Sequence, residues 1–255
     1  MKDRQLPFLI TLCVLTGAVI FFVIQLSAAV DSPVVPGAVE GHVCRPEGKG
    51  PFPAVVYNPG RDMEGNGPKK MAQLMAQGEY YAAKTCRALA ADGFLALVPI
   101  RHSPEPDWMA AKDEVARAVD YVKTLPGVDS SRIALMGFSR GGFLTLMVGV
   151  ERADLRAFII MAPGGPKRLL DEVQRSLRAL SAPVLLLIEA ADEAFRHGYV
   201  DMLERSLRGR GKEVRTVRYD RGGGHYLFAD MGYYWDDVRA FLREKLAAKP
   251  AENAR

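Results

Sequence analysis

Cysteine is scarce in this chain, with Cys13, Cys44 and Cys86 the only three among 255 residues. They form no CxxC pair and have no Cys/His spacing suited to zinc, so a zinc site is not expected. Histidine is almost as rare: His42, His102, His197 and His225 are the whole supply. An excess of one charge is lacking too, since 34 Lys and Arg face 30 Asp and Glu, a net +4. That is too little to argue for a nucleic-acid partner. There is no Walker loop, dinucleotide fingerprint, internal repeat or low-complexity segment, and so no cofactor is implied.

What is present divides into two parts, a leader at residues 1–30 and one large domain at 31–255. Lys2 and Arg4 precede an apolar run from Leu6 to Leu26, which ends in Ser27-Ala28-Ala29. A positive start, apolar middle and small-residue end make a secretory signal. The run is 21 residues long, whereas signal cores span about 7–15 residues and about 20 cross a bilayer. A cleaved signal peptide and an uncleaved signal anchor therefore both stand. Either way the domain is expected to face outward, in the periplasm or outside the cell, with the membrane a partner only if the segment is kept. Cys13 follows Leu12 rather than a small residue, so lipid attachment is not expected. In an oxidising compartment Cys44 and Cys86 could form a disulfide. Two separate small buried residues is the alternative.

Within the domain, apolar runs at Val39–Cys44, Ala54–Asn58, Phe94–Ile100, Ile133–Gly137, Ala157–Met161 and Val184–Glu189 read as strands. Val214–Tyr219 alternates, as a strand nearer an edge would. Helical stripes lie between them: Ala82, Cys86 and Leu89; Val115, Val119 and Val122; Gly142–Val150; and Trp235, Val238 and Leu242. The basic run Arg205–Arg221 reads as a solvated helix end and an edge strand. Repeated strand–helix alternation implies a mostly parallel sheet with helices on both faces.

Gly137-Phe138-Ser139-Arg140-Gly141 matches G-x-S-x-G. An apolar strand runs into it and a helix leaves it, the context that a nucleophile elbow requires. A serine hydroxyl needs a base to attack at neutral pH. The order in this arrangement is serine, acid, histidine. His42 and His102 come too early, and His197 leaves no room for another strand after the acid. His225, in the glycine-rich loop Asp220–His225, is the base. Asp192, just past Val184–Glu189, is the acid, with Glu189 and Glu193 as rivals. The oxyanion donors would be the backbone N–H groups of Arg140 and of Arg61, the latter in the loop Asn58-Pro59-Gly60-Arg61.

The chain resembles the dienelactone hydrolase-like branch of the α/β-hydrolases over about residues 39–245. The resemblance rests on Pro51–Val56, on Arg87-Ala88-Leu89-Ala90-Ala91-Asp92-Gly93-Phe94, on Gly137–Gly142, on Asp192 and on Gly224-His225. It implies an α/β-hydrolase fold and a hydrolase, without fixing the substrate, because this fold hosts many chemistries. Two positions depart from the pattern. The namesake enzymes carry a cysteine nucleophile where this chain has Ser139, which favours a general esterase or peptidase-like hydrolase. Many relatives have His-Gly at the oxyanion loop where this chain has Pro59-Gly60.

The segment between the strands ending at Met161 and starting at Val184 holds one short amphipathic helix with Leu169, Leu170, Val173 and Leu177. It is too short for a lipase-sized lid, so small or mid-sized esters, thioesters or lactones are expected. In the stretch Arg61–Tyr80, Met71, Leu74 and Met75 could line a pocket or fill the core. A prolyl-oligopeptidase-like serine peptidase shares the same triad order. A catalytically silent, membrane-tethered binding module is the reading from a different class.

Overall fold

The computed structural model describes residues 30–31, 41–60, 81–103, 107–192, 198–229 and 231–248. Their strands are β1 (Val30–Asp31), β2 (Gly41–Cys44), β3 (Phe52–Asn58), β4 (Leu95–Pro99), β5 (Val128–Phe138), β6 (Ala157–Met161), β7 (Val184–Glu189) and β8 (Val214–Tyr219). The helices are α1 (Tyr81–Ala91), α2 (Trp108–Thr124), α3 (Arg140–Gly149), α4 (Lys167–Ser176), α5 (Tyr199–Arg208) and α6 (Trp235–Lys245), with 3₁₀ turns at Leu177–Ala179 and Gly224–Ala229. Among the described residues no helix is long and apolar enough to cross a membrane. The run Leu6–Leu26 lies outside them.

The eight strands form one sheet in the order β1-β2-β4-β3-β5-β6-β7-β8. β1 and β2 pair antiparallel, as do β2 and β4, and every other pair is parallel. Val30 pairs with Cys44 and Asp31 with Val43. β8 is an edge strand, as its alternating pattern implies.

Successive strand residues point to opposite faces, and the core divides accordingly. Ala54 and Val56 of β3, with Val184, Leu186 and Ile188 of β7, pack beneath α2, α3, α4 and α5. Val55, Tyr57, Leu185 and Leu187 pack on the other face, against α1 and α6. A sheet covered on both faces needs strands that are apolar throughout, which is why these runs were visible in the sequence.

β5 begins at Val128 rather than Ile133. Its added residues Asp129–Arg132 are polar and serve one another: Asp129 accepts from the Ser131 amide and hydroxyl and from Arg132 Nε. Such residues carry no apolar signal. Cys44 of β2 and Cys86 of α1 form a disulfide, which ties the antiparallel edge of the sheet to the helix behind it.

From β3 the chain crosses to β4 on one side, then returns to place β5 on the other. The loops leaving β3 and β5 therefore diverge. In an open parallel sheet the crevice at such a switch point is where ligands bind.

Candidate active site

Ser139 sits in that crevice, between β5 and α3, with φ 54° and ψ −121°. For a residue with a Cβ this conformation stores about 1–3 kcal/mol. The surroundings fix it. The Ser139 amide donates to Met161 O at 2.9 Å, and its carbonyl accepts from Phe143 N at 3.0 Å and Gly164 N at 3.1 Å. The turn also needs its glycines. A Cβ on Gly141 would lie 2.1 Å from Asn58 O and 2.5 Å from Pro59 O, and one on Gly137 would lie 2.3 Å from Gly141 O. Bare backbone at these points lets the loop after β3 press directly on the start of α3.

His225 occupies the 3₁₀ turn after β8. Its Nε2 is 2.8 Å from Ser139 Oγ, and its Nδ1 is 2.7 Å from Asp192 Oδ2. An ionised carboxylate can only accept, so Nδ1 carries the hydrogen and Nε2 accepts from the serine hydroxyl. Asp192 is buried, with 2% of its side chain exposed, while His225 keeps 33%. The structure thus brings together the three side chains expected from sequence. His42 lies on β2, three strands from β5 in the sheet order, and the His102 amide bonds Glu114. His197 and Glu193 fall outside the described residues.

The loop after β3, where the second oxyanion donor is expected, is described up to Gly60. Gly60 stands so close to the elbow that a Cβ there would lie 3.2 Å from Ser139 Cβ. Arg61, Met71, Leu74 and Met75 lie outside the described residues. Arg140 is the first residue of α3 and directly follows Ser139. Its side chain is buried, with the guanidinium carbon 5.0 Å from the Trp108 ring centroid and Nη2 reaching Asp107 O.

Sequence reasoning missed several neighbours. Buried Arg101 donates through Nη2 to Pro59 O at 2.5 Å, holding the loop after β3. Burial, and next the nearby Arg140, push its pKa well below the usual guanidinium value. Asn58 Nδ2 donates to Thr145 Oγ1, and Thr145 in turn to Gly141 O, which cross-links β3 to α3. Glu189, a rival for the acid, bonds backbone amides and not the imidazole. These residues follow from position in space and leave no motif in the chain. Among the described residues, no grouping of His, Cys, Asp and Glu could hold a metal ion.

A strained serine turn at the end of β5, with Asp192 after β7 and His225 after β8, has the order and placement of an α/β-hydrolase site. The family model for the dienelactone hydrolase family matches residues 100–233, and the chain belongs to that family. It is thereby a hydrolase of ester or lactone bonds. A Methylorubrum extorquens protein provisionally named a carboxymethylenebutenolidase is 23% identical over 229 residues, 80% of this chain and 73% of that protein. Esterase EstD of Thermotoga maritima is 28% identical over 149 residues, 56% of this chain, which spans only 34% of EstD. A provisionally named dienelactone hydrolase of Klebsiella pneumoniae superposes with a TM-score of 0.62 at 21% identity, covering 81% of this chain and 93% of that one. An acylaminoacyl peptidase of Pyrococcus horikoshii gives 0.68 at 16% identity, covering 98% of this chain and 46% of that one. These last two likenesses concern the fold alone.

Proposed function

We propose that the protein cleaves small or mid-sized carboxylic esters, thioesters or lactones through an acyl-serine intermediate. Ser139 Oγ attacks the carbonyl carbon as His225 Nε2 takes its proton. The imidazolium, steadied by Asp192, passes that proton to the leaving group. Water then repeats the sequence and releases the acid. The developing oxyanion is met by the backbone N–H groups of Arg140 and Arg61. The observation that supports this most is the unbroken relay from Ser139 Oγ through the imidazole to Asp192, at 2.8 and 2.7 Å.

The substrate size rests on the short segment between β6 and β7; a cavity of about 570 Å³ lies beside that segment, and none of Ser139, Asp192 and His225 lines it. The cavity is lined by Gly164, Lys167, Leu170, Tyr199 and Met202, and the amide of Gly164 bonds the carbonyl of Ser139. That volume lies within the range of about 300–1,000 Å³ typical of small-molecule sites. The short helix α4 closes one side, with no larger lid between β6 and β7.

We read residues 1–30 as an export signal or anchor, with residues 31–255 as an outward-facing hydrolase domain. The Cys44–Cys86 disulfide suits that reading, because such bonds persist in oxidising compartments.

The test is a panel of aryl esters of increasing acyl length, run beside aminoacyl amides, on the protein and its Ser139→Ala variant. Turnover of short and medium esters that vanishes in the variant is expected. Faster cleavage of the amides would favour a peptidase. No turnover, with Ser139 unreactive to a fluorophosphonate, would favour a binding module.

A further inference from the structure

Glu189 closes β7 and has no exposed surface. A buried carboxylate is costly unless its charge is satisfied. Among the described residues Glu189 makes no ion pair, and its partners are four backbone amides. Oε1 accepts from Arg221 N at 2.9 Å and Gly222 N at 3.0 Å, while Oε2 accepts from Ala191 N at 2.8 Å and Gly224 N at 2.9 Å. Burial alone would raise its pKa. The four N–H groups outweigh burial and hold it below the usual carboxylate value, so the group is an anion at neutral pH.

Ala191 immediately precedes Asp192, and Gly224 immediately precedes His225. Arg221 and Gly222 begin the loop that carries the histidine. We infer that Glu189 is a positioning residue whose single carboxylate clamps the acid loop to the histidine loop, setting the distance at which Asp192 and His225 meet. This rests on the triad reading above. The loop needs such a clamp because Gly222 and Gly224, both at positive φ, give it little stiffness of its own. A neutral amide could not replace the carboxylate. Glutamine would turn an NH₂ toward two of the four N–H donors.

The test compares the protein with Glu189→Gln on a good ester substrate. Loss of about 10- to 100-fold in kcat with KM nearly unchanged is expected, the effect of a misplaced acid–base pair. The far-downfield proton resonance of His225 Nδ1 should weaken or vanish, while circular dichroism stays that of the wild type. In a His225→Ala background, Glu189→Gln should cost nothing further, because the clamp acts through the histidine.

Unchanged kcat and resonance in Glu189→Gln, or an equal further loss without the histidine, would overturn the clamp. So would a Glu189→Gln protein that fails to fold, since Glu189 would then serve the whole domain. A wild type that neither hydrolyses esters nor labels at Ser139 would overturn the triad reading itself, so the two failures are distinguishable.

Discussion

The ring of Phe138 lies against the imidazole of His225, with centroids 4.8 Å apart and planes tilted by 32°. Phe138 immediately precedes Ser139, so one turn places both the Ser139 hydroxyl and a wall for the imidazole it meets. Phe228, 5.7 Å from Phe138, braces the ring from behind. Phe138→Ala should lower kcat about tenfold through looser orientation of the imidazole. It should also cost about 3–5 kcal/mol of stability as a core truncation. Steady-state kinetics and urea unfolding measure the two effects separately.

The elbow glycines give a second expectation. In Gly141→Ala the new Cβ would meet backbone oxygens at 2.1 and 2.5 Å, and no rotamer change relieves that. Destabilisation of about 3 kcal/mol or more is expected, with loss of activity. Gly164→Ala is the control, because its Cβ would meet nothing within 4 Å. It should stay within about 0.5 kcal/mol of wild type.

Much of the fold was legible because burial on both sheet faces demands continuous apolar strands. β6, β7 and β8 run between the same residues as the patterns Ala157–Met161, Val184–Glu189 and Val214–Tyr219. Two features were not legible in the same way. The start of β5 is polar, and α5 was visible only at its basic end, although Val200, Leu203 and Leu207 form a buried stripe. In the site, Ser139 came from its motif and His225 from the scarcity of histidine. The partners of Glu189 could not be read, because Arg221, Gly222 and Gly224 lie 32 to 35 residues further along the chain.

The disulfide closes a segment of 42 residues that contains β3 and the described part of the loop after it. Chain-entropy reasoning puts its stabilisation at about 4 kcal/mol. Cys44→Ala/Cys86→Ala, or reduction under native conditions, should lower Tm by several degrees. A thermal melt with and without reductant checks this, and coincident curves would argue against the bond.

Glu189 also sets an expected pH dependence. Its native pKa lies below the ordinary 4.5. A depressed carboxylate contributes stability in full above the unfolded pKa and loses it as pH falls through the native one. The stability gap between wild type and Glu189→Gln should therefore be constant near neutrality and shrink below about pH 4.5. Urea midpoints between pH 7 and 3 measure it.

Every step proposed for this site requires Ser139 to act as a nucleophile. Intact-mass spectrometry after treatment with a fluorophosphonate, followed by peptide mapping, reads this directly. One phosphonyl adduct on Ser139, absent in Ser139→Ala and much slower in His225→Ala, is expected. Folded wild-type protein that stays unmodified, or carries its adduct on another residue, would contradict it.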